Sequence, residues 1–287
     1  MVREFSYILQ VFVFPLCLAQ GIAGAAENDA DKSAFNLFNP VPRQLMRELA
    51  PDRPDSTENP HTVDAGHFQL EMDFANFTYN QAGNETLHAW NIAPLNFKVG
   101  LLNNVDLQFV YDNYLHVHTR DRATGAASQS GFGDFTTRLK INLWGNDEGR
   151  TALALLPYVK FPTSTGHLGN NAVEGGIILP LAVELPGDFE LGTEGAVGIF
   201  QDQNGNGRHA EFIGSITVDH AIIGKLSGYL EFFSSFSTET HSQWIGTADV
   251  GLEYLLTKDV QLDCGCNIGL TPAADTAHAF TGITIRF

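Results

Sequence analysis

Few residues in this chain are placed to do chemistry. His116-x-His118 sets two imidazoles on one face of an extended strand, a spacing that can hold a transition metal, though no cysteine or carboxylate of fixed spacing accompanies it. His88, His167, His209, His241 and His278 fall in or beside polar segments at the same end of the predicted strands, where loop polarity alone accounts for them. Asp202-Gln203-Asn204-Gly205-Asn206-Gly207 opens like a calcium loop. Its twelfth position is Ile213 instead of a bidentate glutamate, so a Gly/Asn-rich hairpin loop is the better reading. Cys264-x-Cys266 reads as two small fillers on the outward face of a strand. HExxH, GxSxG and nucleotide-binding loops are missing, and His220 has no serine partner on its own face. The expectation is a protein that is not an enzyme and needs no cofactor.

Charge is the larger resource. Asp and Glu number 33 against 16 Lys and Arg, a net charge of −17 that repels phosphate backbones and excludes nucleic acid as the expected partner. Charged residues are nevertheless only 17% of the chain and apolar residues 44%, with 28 Gly and 21 Phe. Three cysteines cannot make a disulfide framework, and no apolar run after the N-terminus is long enough for a helical membrane protein.

The elements that must position these charges are strands. In Phe68-Gln69-Leu70-Glu71-Met72-Asp73-Phe74 the apolar residues face one way and Gln69, Glu71 and Asp73 the other. About twelve such runs follow one another, near 66–79, 86–100, 104–114, 132–144, 151–161, 174–185, 188–200, 210–222, 226–237, 242–256, 259–270 and 277–287. Tight links at Leu102-Asn103, Gly145–Arg150, Pro186-Gly187, Gly224-Lys225 and Thr257-Lys258 alternate with longer ones at Asp112–Gly131, Pro162–Val173, Gln201–Arg208, Thr238–His241 and Thr271–Thr276. That sorting predicts an all-β fold, an antiparallel transmembrane β-barrel of about twelve strands, with short periplasmic turns and longer extracellular loops. Tyr79, Trp90, Tyr111, Phe161 and Trp244 near strand ends suit interfacial girdles.

With apolar residues toward lipid, the opposite parity lines the lumen. The selectivity candidates are Glu71, Asp73, Asp106, Asp134, Arg138, Lys140, Glu190, Glu194, Glu231, Glu253 and Arg286, with Lys98, Lys160, Glu184, Asp219 and Asp263 on the same faces. So many charges must be hydrated or paired. Two readings stay open: a water-filled acidic pore that favours cations, or a paired, narrow lumen without a through-path.

The ends differ from the middle. Residues 1–26 have the plan of a secretory signal, residues 27–65 form a leader, and residues 66–287 form the barrel. The leader's apolar residues allow a short amphipathic helix at about 42–49, and the prolines of 51–60 then force an extended chain. That stretch, with Asp52, Arg53, Asp55 and Glu58, is either a disordered tail or a strap folded into the barrel mouth with Arg53 paired to lumen carboxylates. At the other end Ile283, Ile285 and Phe287 share a face, the pattern that outer-membrane assembly machinery reads on a closing strand.

Asp52-Arg53-Pro54-Asp55-Ser56-Thr57-Glu58-Asn59-Pro60, then Thr62-Val63-Asp64-Ala65-Gly66-His67-Phe68-Gln69-Leu70-Glu71, resembles the start of the bacterial phenol-degradation MetA-pathway family of outer-membrane transporters. Gly131-Phe132-Gly133-Asp134, Lys140, Leu156-Pro157 and Lys160-Phe161-Pro162-Thr163 are similar to its central motifs. The resemblance covers most of the chain after the signal. It implies a β-barrel passing small molecules, aromatic or hydrophobic compounds among them, and supplies no catalytic residues. The expectation is an outer-membrane channel or transporter of a Gram-negative bacterium, with the lipid bilayer, a small-molecule solute and the assembly machinery as its partners. The competing class is a non-conducting structural or adhesive barrel.

Overall fold

The computed structural model describes residues 31–287 apart from His167. The expected signal segment and His167 therefore lie outside the described residues. Among those described, the regular structure is all strand: β1 (Phe68–Ala82), β2 (Glu85–Ile92), β3 (Leu95–Leu102), β4 (Val105–Tyr111), β5 (Tyr114–Asp121), β6 (Gly125–Gly131), β7 (Phe135–Trp144) and β8 (Thr151–Phe161). They continue as β9 (Glu174–Leu185), β10 (Phe189–Gln201), β11 (Arg208–Ile223), β12 (Leu226–Ser237), β13 (Ile245–Thr257), β14 (Val260–Gly269) and β15 (Ala277–Arg286).

Twelve of these close a ring. β1, β3, β4 and β7 through β15 pair antiparallel in that order, and β15 returns to β1 with Gln69 opposite Arg286 and Glu71 opposite Thr284. Closure leaves the ring without an unpaired edge, the condition a sheet must meet to sit in lipid. Glycine-containing turns at 145–150, 186–188 and 224–225 join neighbours at one end, which is the end where β15 and the residues leading into β1 also lie.

The remaining three strands extend the ring at the opposite, long-loop end. β2 pairs with the second half of β1, β5 with β2, and β6 with β5. They continue β3, β4 and β7 past breaks at Ala93-Pro94, Asp112-Asn113 and Phe132-Gly133-Asp134. Pro94 has no N–H to give a ladder, and Gly133 N donates to Asp112 O at 2.9 Å, so the three strands bend at one level. The expected long polar loop over Asp112–Gly131 is thus a hairpin. Its polar residues misled because a strand standing clear of lipid and core has no apolar face to display.

Burial is inverted relative to a soluble domain. Phe74, Trp90, Leu179, Ile216, Phe232 and Leu252 are exposed, whereas Gln69, Lys98, Asp106, Gln108, Lys140, Glu231, Asp263 and Thr284 are buried. An apolar outer wall about ten residues tall around a polar interior is what a bilayer requires of a barrel.

The leader forms no helix over 42–49. Its backbone is instead held by the leader's own end and by the barrel: Val41 N donates to Ala65 O at 3.0 Å, Arg47 N to the Asp64 carboxylate at 3.1 Å, and Leu37 N to Leu101 O of β3 at 2.9 Å. Pro40 and Pro42 further limit helical hydrogen bonding. His67 ties this region together, with one ring nitrogen 2.7 Å from Val41 O and the other 2.9 Å from Phe287 O.

Candidate functional site

Strand parity gives the lumen two unlike walls. From β3 to β8 it carries Lys98, Arg138, Lys140 and Lys160 against the two carboxylates Asp106 and Asp134. From β9 to β14 the inward carboxylates are Glu174, Glu184, Glu190, Glu194, Glu211, Asp219, Glu231, Asp249, Glu253 and Asp263, while the basic residues of that span, Arg208, Lys225 and Lys258, stand at strand ends. Lys98 and Lys140 are at most 1% exposed, so their charges demand close partners.

Residues 51–60 enter this divided lumen as a bent loop rather than the extended chain expected from the prolines: Asn59 N returns to Asp52 Oδ1 at 3.0 Å, and the strap meets each wall with opposite charge. Toward the basic wall, Asp52 pairs with both Lys98 and Lys140, and Glu58 pairs with Arg138. Lys98 also holds Glu71, and Lys140 donates to Asn59 O at 2.5 Å. Toward the acidic wall, Arg53 binds Asp263 in a fork, Nε to Oδ2 at 2.8 Å and Nη2 to Oδ1 at 2.6 Å, and reaches Asp73 at 2.6 Å. Gly282 of β15 makes room for this fork, since a Cβ there would sit 2.3 Å from Arg53 Nη2.

Backbone donors complete the seating. Ser56 N and Thr57 Oγ1 donate to the two oxygens of Glu231 at 2.9 and 2.6 Å, and Glu58 N donates to Glu194 at 2.8 Å. The strap forms no ladder of its own, so the N–H groups of Asp52, Ser56 and Glu58 go to the wall carboxylates Glu71, Glu231 and Glu194, and that of Asn59 to Asp52 within the strap. Burial works against the charge of Asp52, and Lys140 and Lys98 outweigh it, holding its carboxyl well below the usual range. Asp55 is driven the other way, well above that range, by burial and by Glu231, Asp219 and Glu253.

Two cavities lie on either side of the strap. The larger, about 840 Å³, opens at the tight-turn end and is lined by Glu184, Glu190, Asp219, Glu253 and Gln261. The smaller, about 280 Å³, lies toward the long-loop end beside Glu71, Asp73, Asn96, Arg138 and His278. Arg53, Asp55 and Glu58 border both.

The other sequence-derived candidates are placed as follows. Asp106 accepts from Val63 N and Gln108 Nε2, both at 3.0 Å, holding the chain just beyond the strap. Asp134 accepts from Ser164 N at 2.9 Å and lies 3.8 Å from Lys160, which binds Glu174 at 2.6 Å. Arg286 is at the tight-turn end, on Asp259 at 2.8 Å and Arg47 O at 2.8 Å. Ile283 and Ile285 oppose Met72 and Leu70 on β1, and Phe287 N donates to Phe68 O at 2.8 Å. His116 and His118 share a face of β5, with their Nδ1 atoms 2.7 and 2.8 Å from Ser130 and Ser128 Oγ.

Other residues at the site escaped the sequence reading. Ser215 and Asp249 share the faces of Asp219 and Glu253, so parity could have found them. Tyr229, on the face of Glu231 and so also within reach of parity, donates its hydroxyl to Pro54 O at 3.5 Å, whereas Arg47, which bridges Asp64 and Asp147 at the tight-turn end, lies in no pattern that announces its role.

The family described as “Putative MetA-pathway of phenol degradation” matches residues 51–287. The chain belongs to this family. Its match begins at the strap. Comparison with curated proteins gives no match. Among solved structures, the COG4313 outer membrane channel from Pseudomonas putida F1 is similar in fold, with TM-score 0.60, 14% identity, and coverage of 84% of this chain and 100% of that one. The transport unit of the autotransporter AIDA-I from Escherichia coli has TM-score 0.52 at 11% identity, covering 76% of this chain and 89% of that one. The shared feature is the outer-membrane barrel fold.

Proposed function

We propose that this protein is a passive outer-membrane channel for small hydrophilic solutes, with the strap as its internal partition. The observation that carries this reading is that Arg53, Asp55 and Glu58 form the shared border of two cavities inside a closed barrel, the larger of them lined by Glu184, Glu190, Asp219 and Glu253. The acidic wall from β9 to β14 favours cations over anions. Among the described leader residues the larger apolar side chains Leu49 and Val63 reach the larger cavity, and Leu95, Val110 and Phe280 line the smaller, which keeps an aromatic or hydrophobic cargo as the second reading. In this reading residues 1–26 direct export, the tight turns face the periplasm, and Ile283, Ile285 and Phe287 present the closing strand to the assembly machinery. Passive passage requires no catalytic group and no cofactor.

Uptake into proteoliposomes tests it. A small amine, a neutral sugar, phenol and an organic anion are compared for the native chain and for a chain whose residues 51–60 are replaced by Gly and Ser. Faster uptake by the second chain, with the amine ahead of the anion, is expected. Absence of uptake by both would make the protein a non-conducting structural or adhesive barrel.

A further inference from the structure

At the long-loop end, the connection between β10 and β11 and the connection between β12 and β13 converge on His209. Its Nδ1 is 3.0 Å from Asp202 Oδ1 and 3.9 Å from Glu239 Oε2. One donor atom from each residue falls within a common 4.8 Å, and the three side chains are half-buried.

Each arm is held by its own loop. Asp202 N donates to Gly207 O at 3.1 Å and Gly205 N to Asp202 O at 2.8 Å, with Gly205 at φ 74° making the turn that a side chain would resist. Glu239 is fixed through its backbone by Ser237 Oγ at 3.1 Å and Ser242 N at 3.1 Å, and its Oε1 accepts from Gln203 N at 2.8 Å. That contact spends one oxygen of Glu239 on the neighbouring loop and turns the other toward the imidazole. Phe200 lies opposite His209 in the β10–β11 register, with ring centroids 6.1 Å apart.

Two carboxylates thus converge on one ring nitrogen, which has a single proton or a single lone pair to offer. A hydrogen bond satisfies only one of them. A divalent cation bound by all three resolves the geometry: zinc bonds of about 2.0–2.1 Å set tetrahedral donor separations of roughly 3.3–3.4 Å, between the two distances observed. We propose that Asp202, His209 and Glu239 form a transition-metal site of the zinc class that ties the two loops together at the mouth of the barrel. The imidazole selects against calcium and magnesium, which take oxygen ligands, and three protein donors leave a fourth position for water.

The site is tested on the folded barrel in detergent, stripped with a chelator and titrated calorimetrically with zinc chloride. One saturable site per chain is expected, weakened about ten-fold or more by His209→Ala and by Glu239→Gln. The pair His116→Ala/His118→Ala, on a different hairpin, should leave it unchanged. Zinc should also slow amide exchange in residues 201–209 and 238–242. No saturable zinc binding, zinc binding indifferent to His209→Ala, or calcium binding tighter than zinc would overturn the assignment.

Discussion

Asp52 and Asp55 stand three residues apart on the strap and face opposite electrostatic surroundings. Asp52 is the partner of two buried lysines, so Asp52→Ala leaves Lys140 with only the Asn59 carbonyl and Lys98 with Glu71. Breaking a buried pair this way costs about 3–5 kcal/mol. Adding Lys140→Met should recover part of that loss, and a double-mutant cycle on urea unfolding measures it. Asp55 is the reverse case. Its carboxyl is raised when the strap is seated and ordinary when the strap is released, so the seated state holds an extra proton above about pH 4. Seating therefore weakens as pH rises from there toward the raised value. Protease cleavage within 51–60 should accelerate with pH in the native chain. In Asp55→Asn that part of the pH dependence should vanish, and an unchanged profile would remove Asp55 from the cause.

The strands were legible because lipid on one side and a polar lumen on the other force strict alternation, and all twelve staves of the ring correspond to an alternating run. Where that constraint lapses, legibility lapses too. The β5–β6 hairpin stands beyond the ring and reads as polar loop; the leader at 42–49 reads as helix because its apolar spacing carries no sign that Asp64 takes its backbone. For the strap, the pairing of Arg53 with lumen carboxylates was legible as a class, but not its partners: Arg53 and Asp263 are 210 residues apart, and parity turns Asp263 inward without saying which residue it meets. Since β5 and β6 pair only with each other and with β2, replacing residues 116–130 by a short turn should leave the barrel intact. Heat-modifiable migration on a gel checks this, and its loss would mean that the hairpin supports the ring.

For the whole molecule, the net charge of −17 acquires a location: an acidic half-barrel opposed by a more basic third, with the strap between them. Glu190→Gln, Glu194→Gln and Glu253→Gln together should reduce cation preference without closing the lumen, read as a smaller reversal potential across a salt gradient. The measurement closest to the central claim is single-channel recording in planar bilayers of the native chain beside the chain with residues 51–60 replaced. Removing the partition should raise conductance several-fold and leave a cation-favouring reversal potential set by the acidic wall. Equal conductance in the two chains, or no conductance in either, would contradict a channel divided by its strap.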